Sequence, residues 1–238
     1  MGKILIACEE SQAVCKAFRE LGHEAYSCDI LDCSGDKPEW HIKGDVLEVI
    51  NQEWDLIIAH PPCTFLTNAA ARHLYPGKVL NQERYKKGLE AKKFFIALYN
   101  APCKLICVEN PTPSTIFELP KYNQVIQPYY FGDAAMKRTC LWLKGLPKLE
   151  HPEPNSLKKP EPLYVMSTGK KAHFVDAMGG GKNRARNRSK TFPGIAKAMA
   201  KQWTSNPEVD QRTLLSNNYK EDGIPPTNEL VGILPKII

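Results

Sequence analysis

Short apolar runs alternate with helix-period segments through the first 110 residues, and this alternation limits the folds that the chain can adopt. Runs typical of strands are separated by stretches in which apolar residues recur every three or four positions. The pattern predicts a parallel, doubly wound α/β sheet, in which ligands bind outside the carboxyl ends of the strands. The predicted strands are Lys3–Ala7, Glu24–Cys28, Asp55–Ala59 and Lys104–Val108, and the predicted helices are Gln12–Leu21 and Asn81–Tyr99.

The pattern changes after residue 120. Two short apolar runs, Gln124–Ile126 and Thr139–Leu143, predict a pair of strands that form a hairpin. Residues 147–162 contain five prolines and predict an irregular loop. Pro193–Trp203 predicts a further helix with apolar residues on one face. Helix and strand periodicity fades from Asn206 onward.

The composition is that of an ordinary folded protein. Of the 238 residues, 42% are apolar and 24% are charged. No apolar run approaches the roughly 20 residues that a membrane-spanning helix needs, so we expect a cytoplasmic protein that does not contact membranes. The eight cysteines include no Cys-x-x-Cys pair, so no zinc site or other metal centre is expected.

Positive charge is concentrated in one segment. The whole chain carries a formal charge of +6, whereas residues 158–201 alone carry +9. Within this segment, three consecutive glycines precede a basic strip in which Lys and Arg alternate with small or polar residues. Such a strip is typical of a surface that binds a phosphate backbone, and a solvated loop without a polyanionic partner is the alternative. The basic strip comprises Lys182, Arg184, Arg186, Arg188 and Lys190.

Two polar motifs follow predicted strands at the sheet edge where ligands are expected. Pro61-Pro62-Cys63 follows the third predicted strand, and its rigid prolines favour a Cys63 thiol held at the edge, where a nucleophile is needed. Glu109-Asn110 follows the fourth predicted strand. We expect partial burial to raise the pKa of Glu109, so that this side chain holds a proton near neutrality. The alternatives are a structural cysteine and a capping carboxylate.

Two further acids complete a pattern that resembles one enzyme family. Asp29 follows the second predicted strand, where doubly wound folds bind a ribose, and Gly44-Asp45 offers a carboxylate to an amino group. In chain order, these motifs resemble those of the DNA cytosine-carbon-5 methyltransferases. That family has a Pro-Cys nucleophile, matched by Pro62-Cys63, and a Glu-Asn motif, matched by Glu109-Asn110. Its arginine-bearing motif is matched best by Arg138.

The resemblance covers about residues 1–204 and implies a Rossmann-like methyltransferase fold with a small basic insert. It also implies S-adenosylmethionine as the cofactor and cytosine-containing DNA as the partner. In this interpretation a catalytic core occupies residues 1–145, and a short basic recognition segment occupies 146–188. A helix that returns to the core occupies 189–204. Residues 205–238 form a tail with no assigned role.

The resemblance also assigns roles to individual residues. Cys63 adds to carbon 6 of the cytosine ring, Glu109 hydrogen-bonds or protonates ring nitrogen 3, and Arg138 stabilises the adduct or the target phosphate. The implied cofactor-binding residues are Cys8, Glu9, Ser11, Asp29, Ile30, Asp45, Val46 and Pro61. The implied contacts to substrate or nucleic acid are Asn110, Lys137, Lys182, Arg184, Arg186 and Arg188.

Two departures from the family pattern keep other functions open. The Ala7–Ser11 loop contains no glycine where the family has a glycine-rich cofactor loop, which leaves Ser11 and the N-terminus of the next helix to contact the cofactor. The large target-recognition domain of the family is missing. A DNA cytosine-5 methyltransferase is the leading interpretation. The alternatives are an enzyme acting on RNA or on a free cytosine nucleotide, and a catalytically silent relative that binds nucleic acid.

Overall fold

The computed structural model describes residues 2–165, 167, 169, 171–173 and 184–204, without the side chains of 184–186. The strands are β1 (Lys3–Ala7), β2 (Glu24–Asp29), β3 (His41–Lys43), β4 (Leu56–Ala59), β5 (Ile106–Pro111), β6 (Gln124–Ile126), β7 (Thr139–Lys144), β8 (Tyr164–Val165) and β9 (Lys171–Ala172). The α-helices are α1 (Ala13–Glu20), α2 (Val46–Val49), α3 (Asn68–Ala71), α4 (Gln82–Tyr99), α5 (Arg184–Ser189) and α6 (Pro193–Thr204).

One seven-stranded sheet organises the molecule, in the order β3-β2-β1-β4-β5-β7-β6. The first five strands of this order run parallel, and β7 is antiparallel to both β5 and β6. The predicted doubly wound α/β class and the antiparallel pairing of the two later strands are therefore confirmed. The strand order reverses between β1 and β4, and in such sheets the ligand crevice opens at that point.

The sheet is buried on both faces, as parallel sheets generally are. Alternate residues of β1 and β4 enter two apolar clusters, because successive side chains of a strand point to opposite faces. On one face, Phe18 of α1 and Trp203 of α6 belong to the same cluster. On the other face, Phe95 of α4 meets Trp142 of β7 edge-on, with ring centroids 5.0 Å apart. Each side chain of this size stabilises the fold by about 1.5–3 kcal/mol through burial.

Local signals fix the ends of the two longest helices of the first half. The Asn81 side chain accepts a hydrogen bond from the Arg84 amide and caps α4, so the helix begins one residue later than the predicted Asn81–Tyr99. The first helix, α1, ends just before Gly22, which has a φ of 83°. This left-handed conformation is accessible to glycine at little cost, so Gly22 ends the helix as predicted.

Three elements differ from the sequence prediction. The edge strand β3 was not predicted, because three residues are too few for a periodic signal. The strand β5 continues to Pro111, so that Glu109 and Asn110 lie inside the strand rather than after it. Antiparallel pairing with β7 extends β5 past its last pair with β4, which is Ala59 with Val108. Part of the predicted basic strip forms α5 rather than a loop.

Candidate active site

Polar side chains from three neighbouring strands gather at the carboxyl edge of the sheet. Glu9 follows β1, His60 follows β4, and Glu109 lies near the end of β5. The pairing of β4 with both β1 and β5 places His60 between the two acids. Glu9 is 5% exposed and Glu109 is 9% exposed, so two acidic residues are buried at one edge. Buried acids at a ligand-binding edge are typical of an active site.

The Pro-Pro-Cys turn presents its thiol at this edge. Cys63 is the exposed member of the eight cysteines, all of which lie in the described part of the chain. Pro61 is buried, and its carbonyl oxygen accepts a hydrogen bond of 3.0 Å from Nδ2 of the buried Asn110. Asn110 therefore anchors the turn that carries Cys63 to β5. The direct contact of Asn110 with substrate stays a prediction.

Opposing charges act on the Cys63 thiol. Desolvation by the surrounding protein and the Glu109 carboxylate raise the pKa of Cys63 above its usual value, while the positive charges of Lys137 and Arg188 lower it. The thiol is therefore the resting form at neutral pH, and the thiolate is the nucleophile. Formation of the thiolate is favoured by the two cations and opposed by Glu109.

The protonation of Glu109 differs from the sequence prediction. Burial by itself raises the pKa of the Glu109 carboxyl, but His60 and Lys137 outweigh it. His60 Nδ1 lies 3.1 Å from Glu109 Oε2 and donates to it. Together with a hydrogen bond to Thr139, these positive neighbours lower the pKa of Glu109 below its usual value. The expectation of a raised pKa was wrong, because the motif gives no information about a basic neighbour on another strand.

Lys137, rather than Arg138, is the cation that acts on both reactive groups. The charge of Lys137 affects Cys63 and Glu109 alike. The Arg138 guanidinium instead donates to the Thr112 hydroxyl at 2.9 Å and to the Tyr122 hydroxyl at 3.3 Å. Arg138 is exposed, and a role for it on the substrate phosphate stays a prediction.

The loop after β1 turns without glycine. Cys8 and Gln12 adopt left-handed backbone conformations, with φ values of 60° and 59°. Such a conformation costs a residue other than glycine about 1–2 kcal/mol, so the fold sustains strain at two positions of this loop. Gln12 is fully buried, and its side chain exchanges two hydrogen bonds with the backbone of Lys37. These bonds hold the loop against the connection that follows β2.

Glu9 occupies the N-terminus of α1. Its two carboxylate oxygens accept hydrogen bonds from the amides of Val14 at 2.8 Å and Cys15 at 3.1 Å. Burial raises the pKa of Glu9, and the His60 charge and the two amide bonds offset part of that effect. Because the Val14 and Cys15 amides already donate to Glu9, they are not free for a cofactor, and a cofactor contact at this helix N-terminus stays a prediction. Ser11 is half-buried beside it.

A second group of acids lies at the carboxyl ends of β2 and β3: Asp29 is the last residue of β2, and Asp45 follows β3. Burial raises the pKa of the Cys8 thiol most, and the Asp29 and Asp45 carboxylates raise it further. These three side chains therefore lie close together at this edge. Each carboxylate uses one oxygen to accept an amide of its own turn, from Leu31 and Leu47 respectively. Ile30 is 72% exposed next to Asp29, so an apolar surface accompanies the two acids. Val46, by contrast, is buried within the core.

The basic strip lies only partly within the described residues. Lys182 lies outside them. Arg184 and Arg186 belong to α5, and their side chains are not described. Arg188, also in α5, is exposed, and its charge reaches Cys63. One residue of the strip is therefore close enough to the candidate nucleophile to affect its pKa.

No described helix has the length and apolar character required to span a bilayer. Among the same residues, no group of three or more His, Cys, Asp or Glu side chains is arranged to hold a metal ion.

Comparison with known proteins finds distant similarity to solved structures. No protein-family model matches the chain, and no curated protein matches it. A solved structure to which the chain is similar is a protein from an E. coli prophage, described as a candidate DNA modification methyltransferase. The TM-score is 0.37 and the identity 10%, over 59% of this chain and 45% of that protein. The chain thus spans less than half of that protein's length, and the chemistry of the site rests on its own residues.

His60 is the site residue to which the sequence gave no role. Its position directly after a buried strand and before Pro61-Pro62 is the one signal that distinguishes it from the other histidines. Its contact with Glu109 joins residues 49 positions apart, so only the pairing of β4 with β5 brings them together.

Proposed function

We propose that the chain is an S-adenosylmethionine-dependent methyltransferase that acts on carbon 5 of cytosine in DNA through a covalent bond to Cys63. The observation that carries this proposal is the grouping of an exposed thiol, a buried carboxylate and a cation at one sheet edge. Glu109 and Lys137 both lie close enough to shift the pKa of Cys63. A nucleophile, an acid–base group and a charge-stabilising group are the components that covalent catalysis on a heterocyclic ring requires.

Cys63 supplies the nucleophile in this mechanism. The Cys63 thiol first loses its proton to solvent. The sulfur then bonds to ring carbon 6 while ring nitrogen 3 takes up a proton from Glu109, so that the addition leaves no net charge on the ring. The anchoring of Pro61 by Asn110 limits the movement of the sulfur, which favours a fixed line of attack. Lys137 and Arg188 stabilise the thiolate before the attack.

Glu109 supplies the proton-transfer group. The addition of sulfur makes ring nitrogen 3 more basic, and the Glu109 carboxyl is the group that would donate a proton to it. After methyl transfer, carbon 5 gives its own proton to a water molecule. The bond between sulfur and carbon 6 then breaks, Cys63 leaves as the thiolate, and nitrogen 3 returns its proton to Glu109. Because His60 and Lys137 lower the pKa of Glu109, the carboxyl needs a nearby proton source to act as a donor.

The acidic part of the edge fits S-adenosylmethionine. This cofactor, when bound, supplies the methyl group to carbon 5. Its sulfonium and ammonium groups are cationic, and Glu9, Asp29 and Asp45 are the acids that would face them or the ribose. Ile30 offers an exposed apolar surface for a flat ring beside Asp29. Of the remaining predicted contacts, Cys8 and Ser11 lie in the loop of Glu9, Val46 follows Asp45 as the first residue of α2, and Pro61 lies in the turn after β4.

The basic part of the edge supports a polyanionic substrate. Lys137, just before β7, and Arg188, in α5, both act on Cys63, and the predicted strip also contains Lys182, Arg184 and Arg186. A base in duplex DNA must leave the stack before Cys63 can reach it, which costs a few kcal/mol. Since the recognition segment is short, we propose that the DNA site is short or loosely specified.

Mechanism-based trapping tests the proposal. DNA that contains 5-fluorocytosine cannot release its carbon-5 substituent, so a bond between Cys63 and carbon 6 should survive denaturation in the presence of the cofactor. The adduct is measured by intact mass. Cys63→Ser should abolish it, whereas Cys33→Ser, at a half-buried cysteine in another loop, should retain it.

The same experiment separates the other candidate functions. Parallel reactions contain labelled cofactor with duplex DNA, single-stranded DNA, RNA or dCMP. Labelling of RNA or dCMP alone contradicts the DNA assignment. Cofactor binding without any labelled product, or an adduct that survives Cys63→Ser, contradicts the covalent mechanism at Cys63.

A further inference from the structure

His60 is buried at the centre of the edge and is only partly hydrogen-bonded. Its side chain is 9% exposed, and that of Glu109 is 11% exposed. The Nδ1 atom lies 3.1 Å from Glu109 Oε2, whereas no described group hydrogen-bonds to the buried Nε2 atom. A buried polar atom without a partner costs stability and needs a reason.

The backbone holds His60 in this position. Its amide donates to the carbonyl oxygen of Ala7 at 2.9 Å, which continues the pairing of β4 with β1. The rigid Pro61-Pro62 step follows directly. The backbone of His60 is therefore fixed between the strand that precedes Glu9 and the strand that contains Glu109.

Charged groups face His60 and Glu109 from each element around them. After β1, Glu9 interacts with the His60 charge. From two residues before β7, the Lys137 ammonium acts on Glu109, and the Thr139 hydroxyl at the start of β7 hydrogen-bonds to it. From the turn after β4, Cys63 interacts with Glu109. His60 thus lies between two carboxylates and directly precedes the Pro61–Cys63 turn that carries the nucleophile. This arrangement is suited to sharing a proton.

We propose that His60 is a positioning residue that stores the proton which Glu109 delivers to ring nitrogen 3, and that holds the Glu109 carboxylate for this delivery. This inference rests on the proposed function, which requires that proton but leaves its source unassigned. The Nδ1–H bond to Oε2 fixes one carboxylate oxygen and leaves the other for the substrate.

The proton balance closes within the pair. In the form that starts this reaction, His60 carries a proton on each ring nitrogen and Glu109 is a carboxylate. One proton passes from His60 to Glu109, and Glu109 passes a proton to ring nitrogen 3 as the bond from Cys63 sulfur to carbon 6 forms. When that bond breaks, nitrogen 3 returns the proton to Glu109, and the pair regains its starting charge. Activity therefore requires one transferable proton on the His60–Glu109 pair, whichever of the two residues carries it.

His60→Asn separates proton storage from hydrogen bonding. The asparagine amide retains an N–H near the Nδ1 position but cannot take up a proton. We expect the basic limb of the kcat–pH profile to move to lower pH. Over the range where the parent is flat, activity of the variant should rise about tenfold for each unit by which the pH falls. His73→Asn, at an exposed histidine, is the matched control and should follow the parent.

A titration without cofactor or DNA supplies the second readout. The Glu109 carboxyl carbon is followed by ¹³C NMR in the full chain, with its resonance assigned through Glu109→Gln. Loss of a neighbouring positive charge raises the pKa of a carboxyl by about 1–3 units. The Glu109 midpoint should therefore rise by that amount in His60→Asn and stay unchanged in His73→Asn.

The outcomes separate this inference from the proposed function. An equal loss of activity at every pH, or a Glu109 midpoint that does not move, would show that His60 is only structural and overturns the inference. A parent that methylates cytosine while His60→Asn keeps the parent profile also overturns it, and leaves the proposed function intact. A parent that methylates no cytosine defeats both.

Discussion

The hydrogen bond from Asn110 to Pro61 joins β5 to the turn that carries Cys63, and its removal has a calculable effect. Asn110 is 1% exposed, and its Nδ2 donates at 3.0 Å to the carbonyl oxygen of the buried Pro61. In Asn110→Ala that carbonyl keeps its burial and loses its donor, which costs about 1–3 kcal/mol. For a chain of this length, each kcal/mol lowers Tm by about 2–4 °C, so we expect a decrease of roughly 2–12 °C.

Asn110→Asp gives the same bond a pH signature at nearly constant volume. An ionised carboxylate would face the Pro61 carbonyl oxygen, so the folded state favours the neutral acid, whose O–H is able to donate. The pKa of the new carboxyl is therefore raised by folding. Its contribution to stability is complete below the unfolded value of about 3.9 and is lost as the pH rises through the raised value. Urea unfolding measured from pH 4 to 8 follows this loss.

The matched control is Asn51→Ala, because Asn51 is exposed and surface substitutions change stability by about 0.5 kcal/mol or less. The yield of the 5-fluorocytosine adduct should fall in Asn110→Ala while cofactor binding persists, since the turn no longer fixes Cys63. Equal unfolding free energies for Asn110→Ala and Asn51→Ala, together with an undiminished adduct, would refute the anchoring role.

Three further predictions concern charge at the same edge. Alkylation of Cys63 by iodoacetamide should need higher pH in Lys137→Met and lower pH in Glu109→Gln, because Lys137 lowers and Glu109 raises the pKa of the thiol; identical rate profiles would contradict this. Folding raises the pKa of Glu9, so the unfolding free energy of the parent relative to Glu9→Gln should fall as the pH rises above the unfolded pKa. Folding lowers the pKa of Glu109, so the unfolding free energy relative to Glu109→Gln should fall as the pH decreases. Urea titrations check both signs. The log–log salt slope of DNA binding should flatten by about one unit in Arg188→Ala if this residue contacts a phosphate, and a slope equal to that of the parent would exclude the contact.

Local sequence patterns were sufficient for six of the seven strands of the sheet, and the three-residue edge strand β3 is the exception. The run Lys3–Ala7 and the run Gln124–Ile126 are strands with the predicted bounds, because continuous apolar or β-branched residues between polar neighbours favour buried extended backbone. The helix from Gln82 to Tyr99 follows a capping asparagine, which is also a local signal. Since parallel strands align their carboxyl ends, the same patterns indicated the edge at which Cys63 and Glu109 lie.

The chemical state of the site depended on contacts that no local pattern contains. The sequence presented Glu109 as a partly buried acid, and burial alone predicts a raised pKa. Folding brings His60 from β4 and Lys137 from the start of β7 against it, and their positive charges reverse the sign. In the same way, the sequence left the N-terminus of α1 open to a ligand, and the fold filled it with the Glu9 carboxylate. The residue types and their order along the chain determined which groups reach the edge, and strand pairing determined which charges surround them, because electrostatic interactions depend on distance in space rather than along the chain.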